Sequence, residues 1–386
     1  MRRLKILFVT PWYPTKEQPV AGVFVREHAK AVRLYDDIVV LHSAGLHPRI
    51  NGFYQTERES DESITESIPT FRVWYRYTSI PKTKYLSYIV SVLKGFQYVL
   101  SNGFRPDILH AHVYGAGMPT ALIGRLYKIP VVITEHFTGF KRKVLSRTEI
   151  LKAMIAFRMA DMVLPVSSLL KEAIEVYGIQ AKFEVVPNVV DTALFSPNSD
   201  RDCPHNPKRI LFVGLLDASH KKGIPYLLAA LARLQQERKD WVLSIVGDGP
   251  ARAEYEQLVV KGNIAEKVTF HGLRTKIEIA TLMRQADLFV LPSVFETFSI
   301  VTAEALASGI PVLITRCGGP EEFVTEDSGL VVPSGDEEAL CRGLEYMLDH
   351  LSNFSSTKVA DSVRERFSSE HVGKQLHSIY MTCLIK

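Results

Sequence analysis

The sequence predicts an α/β protein built from two doubly wound domains, and three observations lead there. Its 386 residues exceed what a single core organises, and suit two domains of roughly 150–200 residues each. Short, continuous apolar runs rich in β-branched residues alternate with longer segments of helical period, the pattern of parallel strands covered by helices on both faces. A polar, proline-bearing stretch, NSDRDCPHNPKR at 198–209, breaks that alternation near the middle and reads as a connection between domains.

The elements follow in order. KILFVT (5–10) is a buried strand that Pro11 cuts off. DIVVLHS (37–43), FRVWYR (71–76), ILHA (108–111), VVIT (131–134), MVLPV (162–166) and FEVV (183–186) continue the first half. Residues 49–68 are polar and poorly periodic, so a long loop is expected there. Strands resume with RILFVG (209–214), VLSIVG (242–247), KVTF (267–270), LFVL (288–291), PVLI (311–314) and GLVV (329–332), separated by helical segments such as 224–238 and 276–285. The expected organisation is a domain at 1–190, a linker at 191–207, a second domain at 208–370, and a terminal helix at 371–386 that packs back toward the first domain. Ligands of doubly wound sheets sit beyond the carboxyl ends of the strands. Two such domains facing each other are expected to enclose a deep cleft.

Composition narrows the class. Hydrophobic residues make up 46% and charged residues 23% of the chain, ordinary globular values. Cys203, Cys317, Cys341 and Cys383 are scattered without CxxC spacing, which fits a reducing compartment and gives no zinc signature. The apolar run after the basic start is too short for a signal peptide, and no run of about 18 apolar residues would span a membrane. A cytoplasmic protein is expected. Residues 70–160 hold 14 Lys/Arg against 3 Asp/Glu, a local balance of +11 that leaves −7 on the remainder of a chain with net charge +4. Such asymmetry marks a surface that meets anions.

VFETFSIVTAEALASGIPVLITRCGGPEEFV, residues 294–324, carries the sharpest question. A helix is expected from Ser299 to Ser308, almost entirely apolar or small, with Glu304 in its middle and Glu296 just ahead of it. Glutamate is rarely buried without a partner, because desolvating a carboxylate is costly. The amides of Phe298, Ser299, Ile300 and Val301 lie at that helix start, a ready anion site. A carboxylate one turn further on suits vicinal hydroxyls, as in ribose recognition. A glutamate paired with a buried Lys or Arg would explain the same pattern.

The chain here resembles the family 4 retaining glycosyltransferases of the two-domain GT-B fold. Glu296 and Glu304 form a Glu-x7-Glu spacing followed by ASGIPVLIT and GGPEE. FVGLLDASHKKG (212–223), IVGDGP (245–250), VTFHG (268–272) and ADLFVLPS (286–293) match the donor half of that family. PWYPTKEQPVAGVFVREHAKAV (11–32), PDILHAH (106–112), VITEH (132–136) and VVPNVVDTALFSP (185–197) match the other half. The ordered set covers almost the whole chain.

What the resemblance implies is carried over position by position. Glu304 would hold the nucleotide ribose, Glu296 would bind hydroxyls of the donor sugar, and Lys222 would be the cation on the diphosphate. The amides of Phe298 to Val301 would lie near sugar and pyrophosphate, with Lys221 a further cation on the same loop. Gly22 would let backbone approach the phosphates, while Gly214, Gly247 and Gly272 would shape the donor site. His112 would contact donor sugar or acceptor, and His136 would lie in the same region; a structural role is the alternative for both histidines. The family usually has arginine where Leu215 stands, a glycine pair where Ala21–Gly22 stands, and glycine at Val189.

The implied reaction moves a hexosyl unit from a UDP- or GDP-linked sugar to a hydroxyl of a glycan or lipid-linked acceptor, with retention, in cell-envelope polysaccharide or glycolipid synthesis. No metal and no cofactor beyond the nucleotide sugar are expected: His110 and His112 share one strand face, but no acids stand nearby in sequence. No nucleic-acid partner is expected. The basic 70–160 region suggests contact with an anionic membrane surface, placing the enzyme peripherally on the inner face of the cell membrane. A nucleotide-sugar epimerase, a sugar-phosphate synthase or an inactive partner subunit on the same fold are the alternatives.

Overall fold

The computed structural model describes residues 3–45, 52–76, 83–198 and 204–385. It divides into two compact units, Met1–Val189 with Ser369–Lys386, and Val190–Ser368.

The first unit runs β1 (Lys5–Thr10), α1 (Val23–Arg33), β2 (Asp37–Gly45), β3 (Tyr54–Arg58), α2 (Glu62–Thr65), β4 (Thr70–Tyr75), α3 (Lys84–Ser101), β5 (Ile108–His112), α4 (Tyr114–Tyr127), β6 (Val131–Glu135), α5 (Gly139–Arg142), α6 (Arg147–Met159), β7 (Met162–Pro165) and α7 (Ser168–Glu175). Its seven strands are ordered β3-β4-β2-β1-β5-β6-β7. The winding reverses between β1 and β5, so the switch point at their carboxyl ends is the place where such a sheet opens to ligands.

Two expectations are corrected here. The stretch 49–68 is not a plain loop: where described, from residue 52, it holds β3 and α2, and β3 pairs antiparallel with β4 at the sheet edge. Its side chains are all half-buried or exposed because one face of an edge strand stays wet, a pattern too polar to read as a strand. The expected strand at 183–186 is reduced to a single bridge, Val163 to Phe183. Val186 N still donates to Pro165 O at 3.1 Å, but Pro165 has no amide to donate in return, so no second bridge forms.

The second unit runs β8 (Lys208–Val213), α8 (Ile224–Leu234), β9 (Trp241–Val246), α9 (Arg252–Lys261), β10 (Val268–Gly272), α10 (Lys276–Gln285), β11 (Leu288–Leu291), α11 (Ile300–Ala307), β12 (Val312–Thr315), β13 (Gly329–Val332), α12 (Glu337–Asp349) and α13 (Ser356–Phe367). Six parallel strands are ordered β10-β9-β8-β11-β12-β13, with the switch point between β8 and β11. The stretch read as a linker falls outside the described residues at 199–203, and elsewhere belongs to this unit: Arg284 donates to Leu194 O at 3.0 Å, and the His205 ring lies 3.0 Å from buried Asp287.

The chain ends in α14 (Ser369–Leu384), which belongs to the first unit and packs on α1. Val372, Leu376, Ile379 and Tyr380 of α14 share one core with Ile6 and Phe8 of β1. Tyr380 Oη bonds His110 Nδ1 at 2.7 Å, and the His377 ring sits 2.9 Å from buried Asp36. Among the described residues no helix is long and apolar enough to cross a membrane.

Candidate active site

At the switch point of the second unit, two loops converge. The loop after β8 carries Lys222 and the loop after β11 carries Glu296; Lys222 Nζ donates to Glu296 Oε1 at 2.7 Å. Ser293 Oγ donates to the same oxygen at 2.8 Å. Both recorded contacts fall on Oε1. The loops are tied through backbone as well, Val294 N donating to Lys221 O at 2.8 Å. Gly223 makes this approach possible: at φ 69° it starts α8, and a Cβ there would lie 1.8 Å from Pro292 O. Only glycine fits such a position without moving backbone.

Glu296 is fixed on its other side too. Its amide donates to Cys317 O at 2.9 Å, and Gly319 N donates to Glu296 O at 3.1 Å. Phe298 is a core anchor, its ring packed on Phe323 and Phe367 at 5.2 and 5.0 Å, so its backbone is what remains available at the helix start. Ser299 caps α11 with φ 66° and ψ 79°, a left-handed conformation that non-glycine residues seldom adopt. Its hydroxyl bonds Thr302 Oγ1 at 2.8 Å. The first amides of α11, at Ile300 and Val301, have no preceding turn to donate into and face outward along the helix axis. Glu304 lies half-buried one turn further along α11.

The remaining glycines close strand ends together. Gly214 donates to Val246 O at 2.9 Å, a Cβ on Gly247 would lie 1.9 Å from Gly214 O, and Gly247 N donates to Gly272 O at 2.9 Å. The ends of β8, β9 and β10 thus form one tightly bonded floor. Lys221 does not join the Lys222–Glu296 pair; its ammonium goes to Asp217, 3.4 Å away. Leu215 is half-exposed in the same loop.

In the first unit, Gly22 caps α1 at φ 66°, and a Cβ there would lie 2.2 Å from Trp12 O. His112, at the carboxyl end of β5, has no accessible surface. Its ring stacks on those of His110 and His136, and His112 Nδ1 lies 3.2 Å from His136 Nε2. Burial, then the imidazoles of His110, His136 and His28, hold the His112 pKa well below its ordinary value. The structure therefore encloses both candidate histidines in the unit's interior, His136 keeping a small exposed edge. Val113, directly after His112, has φ 66°, which is unusual for a β-branched residue and marks a turn held by its surroundings.

Sequence reasoning missed four residues here: His28, Glu135, Arg72 and His42. His28 joins His112 and His136, one ring nitrogen of each lying within 4.8 Å of the others. A cation could find three nitrogens in this cluster, but both His28 nitrogens already meet carbonyls, Phe24 O at 2.9 Å and Pro187 O at 3.1 Å. His110, paired with His112 on one strand face, is satisfied by Tyr380 and Thr134. Glu135 is fully buried and accepts from the amides of Tyr114, His136 and Phe137. Desolvation raises its pKa to about 7, against those three donors. Fully buried Arg72 donates to Glu59, to His42 Nδ1 and to Pro14 O, and His42 Nε2 faces Pro11 O, so the two side chains clamp the loop after β1. An arginine within a strand run (FRVWYR) was the available signal.

Comparison with known proteins places this geometry. The family model described as Glycosyltransferase Family 4 matches residues 56–194, and that described as Glycosyl transferases group 1 matches residues 207–350. The putative teichuronic acid biosynthesis glycosyltransferase TuaC of Bacillus subtilis is 27% identical, covering 98% of both chains. The glycogen synthase of Mycobacterium tuberculosis is 28% identical over 69% of this chain and 66% of its own length. Among solved structures, sucrose-phosphate synthase from Thermosynechococcus elongatus superposes with a TM-score of 0.76 at 22% identity, covering 99% of this chain and 100% of that one. Anabaena HepE in complex with UDP does so with 0.76 at 21% identity, covering 98% and 100%. The fold is that of the GT-B enzymes, and the chain belongs to glycosyltransferase family 4: it is a glycosyltransferase.

Proposed function

We propose that the protein is a retaining hexosyltransferase that takes its sugar from a nucleotide sugar, UDP- or GDP-linked, and passes it to a hydroxyl of a glycan or lipid-linked acceptor in envelope polysaccharide synthesis. The observation that carries this reading is the Lys222–Glu296 pair at the β8–β11 switch point, beside the amino end of α11. Support also comes from HepE, whose solved structures are described with UDP and with UDP-glucose, and from TuaC and the colanic acid glycosyltransferase WcaL of Escherichia coli, 29% identical over 72% of this chain and 70% of its own.

In this reading the bond between anomeric carbon and diphosphate oxygen breaks, and the electron pair stays on the phosphate. Lys222 and the amides of Ile300 and Val301 stabilise that developing charge, the effect that dominates many transfer reactions. The acceptor oxygen attacks from the same face and gives its proton to the departing phosphate. Glu296 holds donor hydroxyls through Oε2 while Oε1 keeps Lys222 and Ser293, and Glu304 holds the ribose. No metal takes part in this reading. The test is a screen of UDP-, GDP- and ADP-sugars by thermal stabilisation and hydrolysis, followed by anomeric assignment of the product by NMR. A stabilising donor and a product of unchanged anomeric configuration are expected; no nucleotide sugar bound, or an inverted product, would overturn the reading.

A further inference from the structure

Helices α3, α4 and α6 pack side by side in the first unit. Contacts join α3 to α4 and α4 to α6, the Phe96 and Tyr127 rings lie 5.0 Å apart, and Lys152 Nζ sits 4.0 Å over the Tyr85 ring. The inner side of α4 is small because it must be: a Cβ on Gly117 would lie 2.7 Å from the Ile133 side chain and 3.1 Å from that of Ala156. Its outer side is not the polar stripe expected of a solvent-facing helix. Leu122 and Leu126, one turn apart on α4, are 43% and 74% exposed, and Leu151 and Ile155, one turn apart on α6, are 56% and 38% exposed. Exposed Arg125 lies on α4 and exposed Arg158 on α6, Lys128 caps α4, and exposed Arg142 and Lys143 end the short helix α5 that precedes α6.

Carboxylates are scarce in this stretch of the chain. Residues 84–160 contain 11 Lys/Arg and 3 Asp/Glu. Of those three, Glu135 is buried on backbone amides, Glu149 caps α6 by bonding Ser146, and Asp107 holds the Lys5 amide. We propose that the α4–α6 face is a docking surface for an anionic lipid bilayer, its leucines and isoleucine entering the headgroup boundary while the basic residues meet phosphates. An interfacial helix has this make-up, apolar residues on one flank and Lys/Arg beside them. A second copy of the chain would set like charges against each other, and a free anionic glycan would leave the leucines in water. The inference extends the functional reading by saying where a lipid-linked acceptor is met. It stands on the surface alone, so vesicle binding is measured without donor or acceptor, and its failure leaves the transferase reading untouched.

The experiment is co-sedimentation of the full chain with phosphatidylcholine vesicles, with and without phosphatidylglycerol, at low and high salt. Two variants accompany it, Leu126→Ser with Leu151→Ser, and Arg142→Ala with Lys143→Ala and Arg158→Ala; circular dichroism confirms that both fold. Binding to the anionic vesicles at low salt, weakened by salt and reduced about tenfold or more by each variant, is the expected result. No binding to anionic vesicles at low salt overturns the proposal, as does binding that neither variant changes. Sedimentation showing that the leucine pair instead holds a dimer overturns it in favour of a second copy.

Discussion

Lys222 and Glu296 stand 74 positions apart in sequence and 2.7 Å apart in space, joined because β8 and β11 are neighbours at the switch point of one sheet. With side chains only 19% and 11% exposed, the pair is mostly shielded from water. Glu296 is thus a glutamate paired with a lysine, and the pair sits at the carboxyl ends of the strands.

Replacing either partner separates binding from folding. Glu296→Gln keeps shape and removes charge, and Lys222→Ala removes the cation. Each is expected to lower kcat/KM by at least about a hundredfold, the cost of losing one charge-stabilising group, while circular dichroism and a melting curve show a folded protein. Near-normal turnover in both variants would sink the assignment.

Ser299 is held at φ 66° in a place where glycine would be unstrained. Such a conformation costs a non-glycine residue about 1–3 kcal/mol, partly offset by the bond from its hydroxyl to Thr302 Oγ1. Ser299→Gly is therefore expected to raise the urea midpoint of unfolding, with a gain of up to about 1 kcal/mol. A lower midpoint would show that the hydroxyl contact outweighs the strain.

Gly223 predicts the opposite sign. A Cβ at 1.8 Å from Pro292 O, on a residue at φ 69°, forces the β8 and β11 loops apart. Gly223→Ala is expected to destabilise by roughly 2 kcal/mol or more and to weaken donor binding measured by calorimetry. Unchanged stability and affinity would show that the two loops do not need this approach.

Acid stability should be set by buried imidazoles. Burial lowers the pKa of His28 and takes His42 to about 3, while His110, His112 and His136 are held well below the ordinary value. A histidine with a depressed folded-state pKa contributes stability that is complete above the unfolded value, roughly 6.5, and lost as pH falls below it. Glu135 acts the other way: its folded pKa of about 7 lies above the ordinary glutamate value of 4.5, so its contribution falls as pH rises through that interval. Five imidazoles outnumber one carboxyl, so unfolding takes up protons and stability drops with acid, by up to about 1.4 kcal/mol per pH unit for each net proton. Urea midpoints at pH 7.5 and 5.5 check this; an unchanged or higher midpoint at pH 5.5 would contradict a neutral cluster.

Much of this was legible in the chain. Continuous apolar strands gave the parallel sheets, because a strand buried on both faces needs no polar alternation. ADLFVLPS and the helix after it placed Glu296 beside the amino end of α11 before any coordinates. Less was legible where partners lie far apart in sequence. β3 was hidden because an edge strand can be polar, and the FEVV segment was overread because its strand-like composition conceals that its neighbour, Pro165, cannot donate.

By itself the sequence determined most of the element types, since periodicity, glycine and charge act locally. Only the tertiary structure decided that Lys222 rather than Lys221 reaches Glu296, and that His112 is enclosed with His28 and His136. It also revealed that Arg72 and His42 hold the loop after β1. Those outcomes depend on which strands become neighbours and on the direction each side chain takes from them, and a linear pattern of hydrophobicity specifies neither contact.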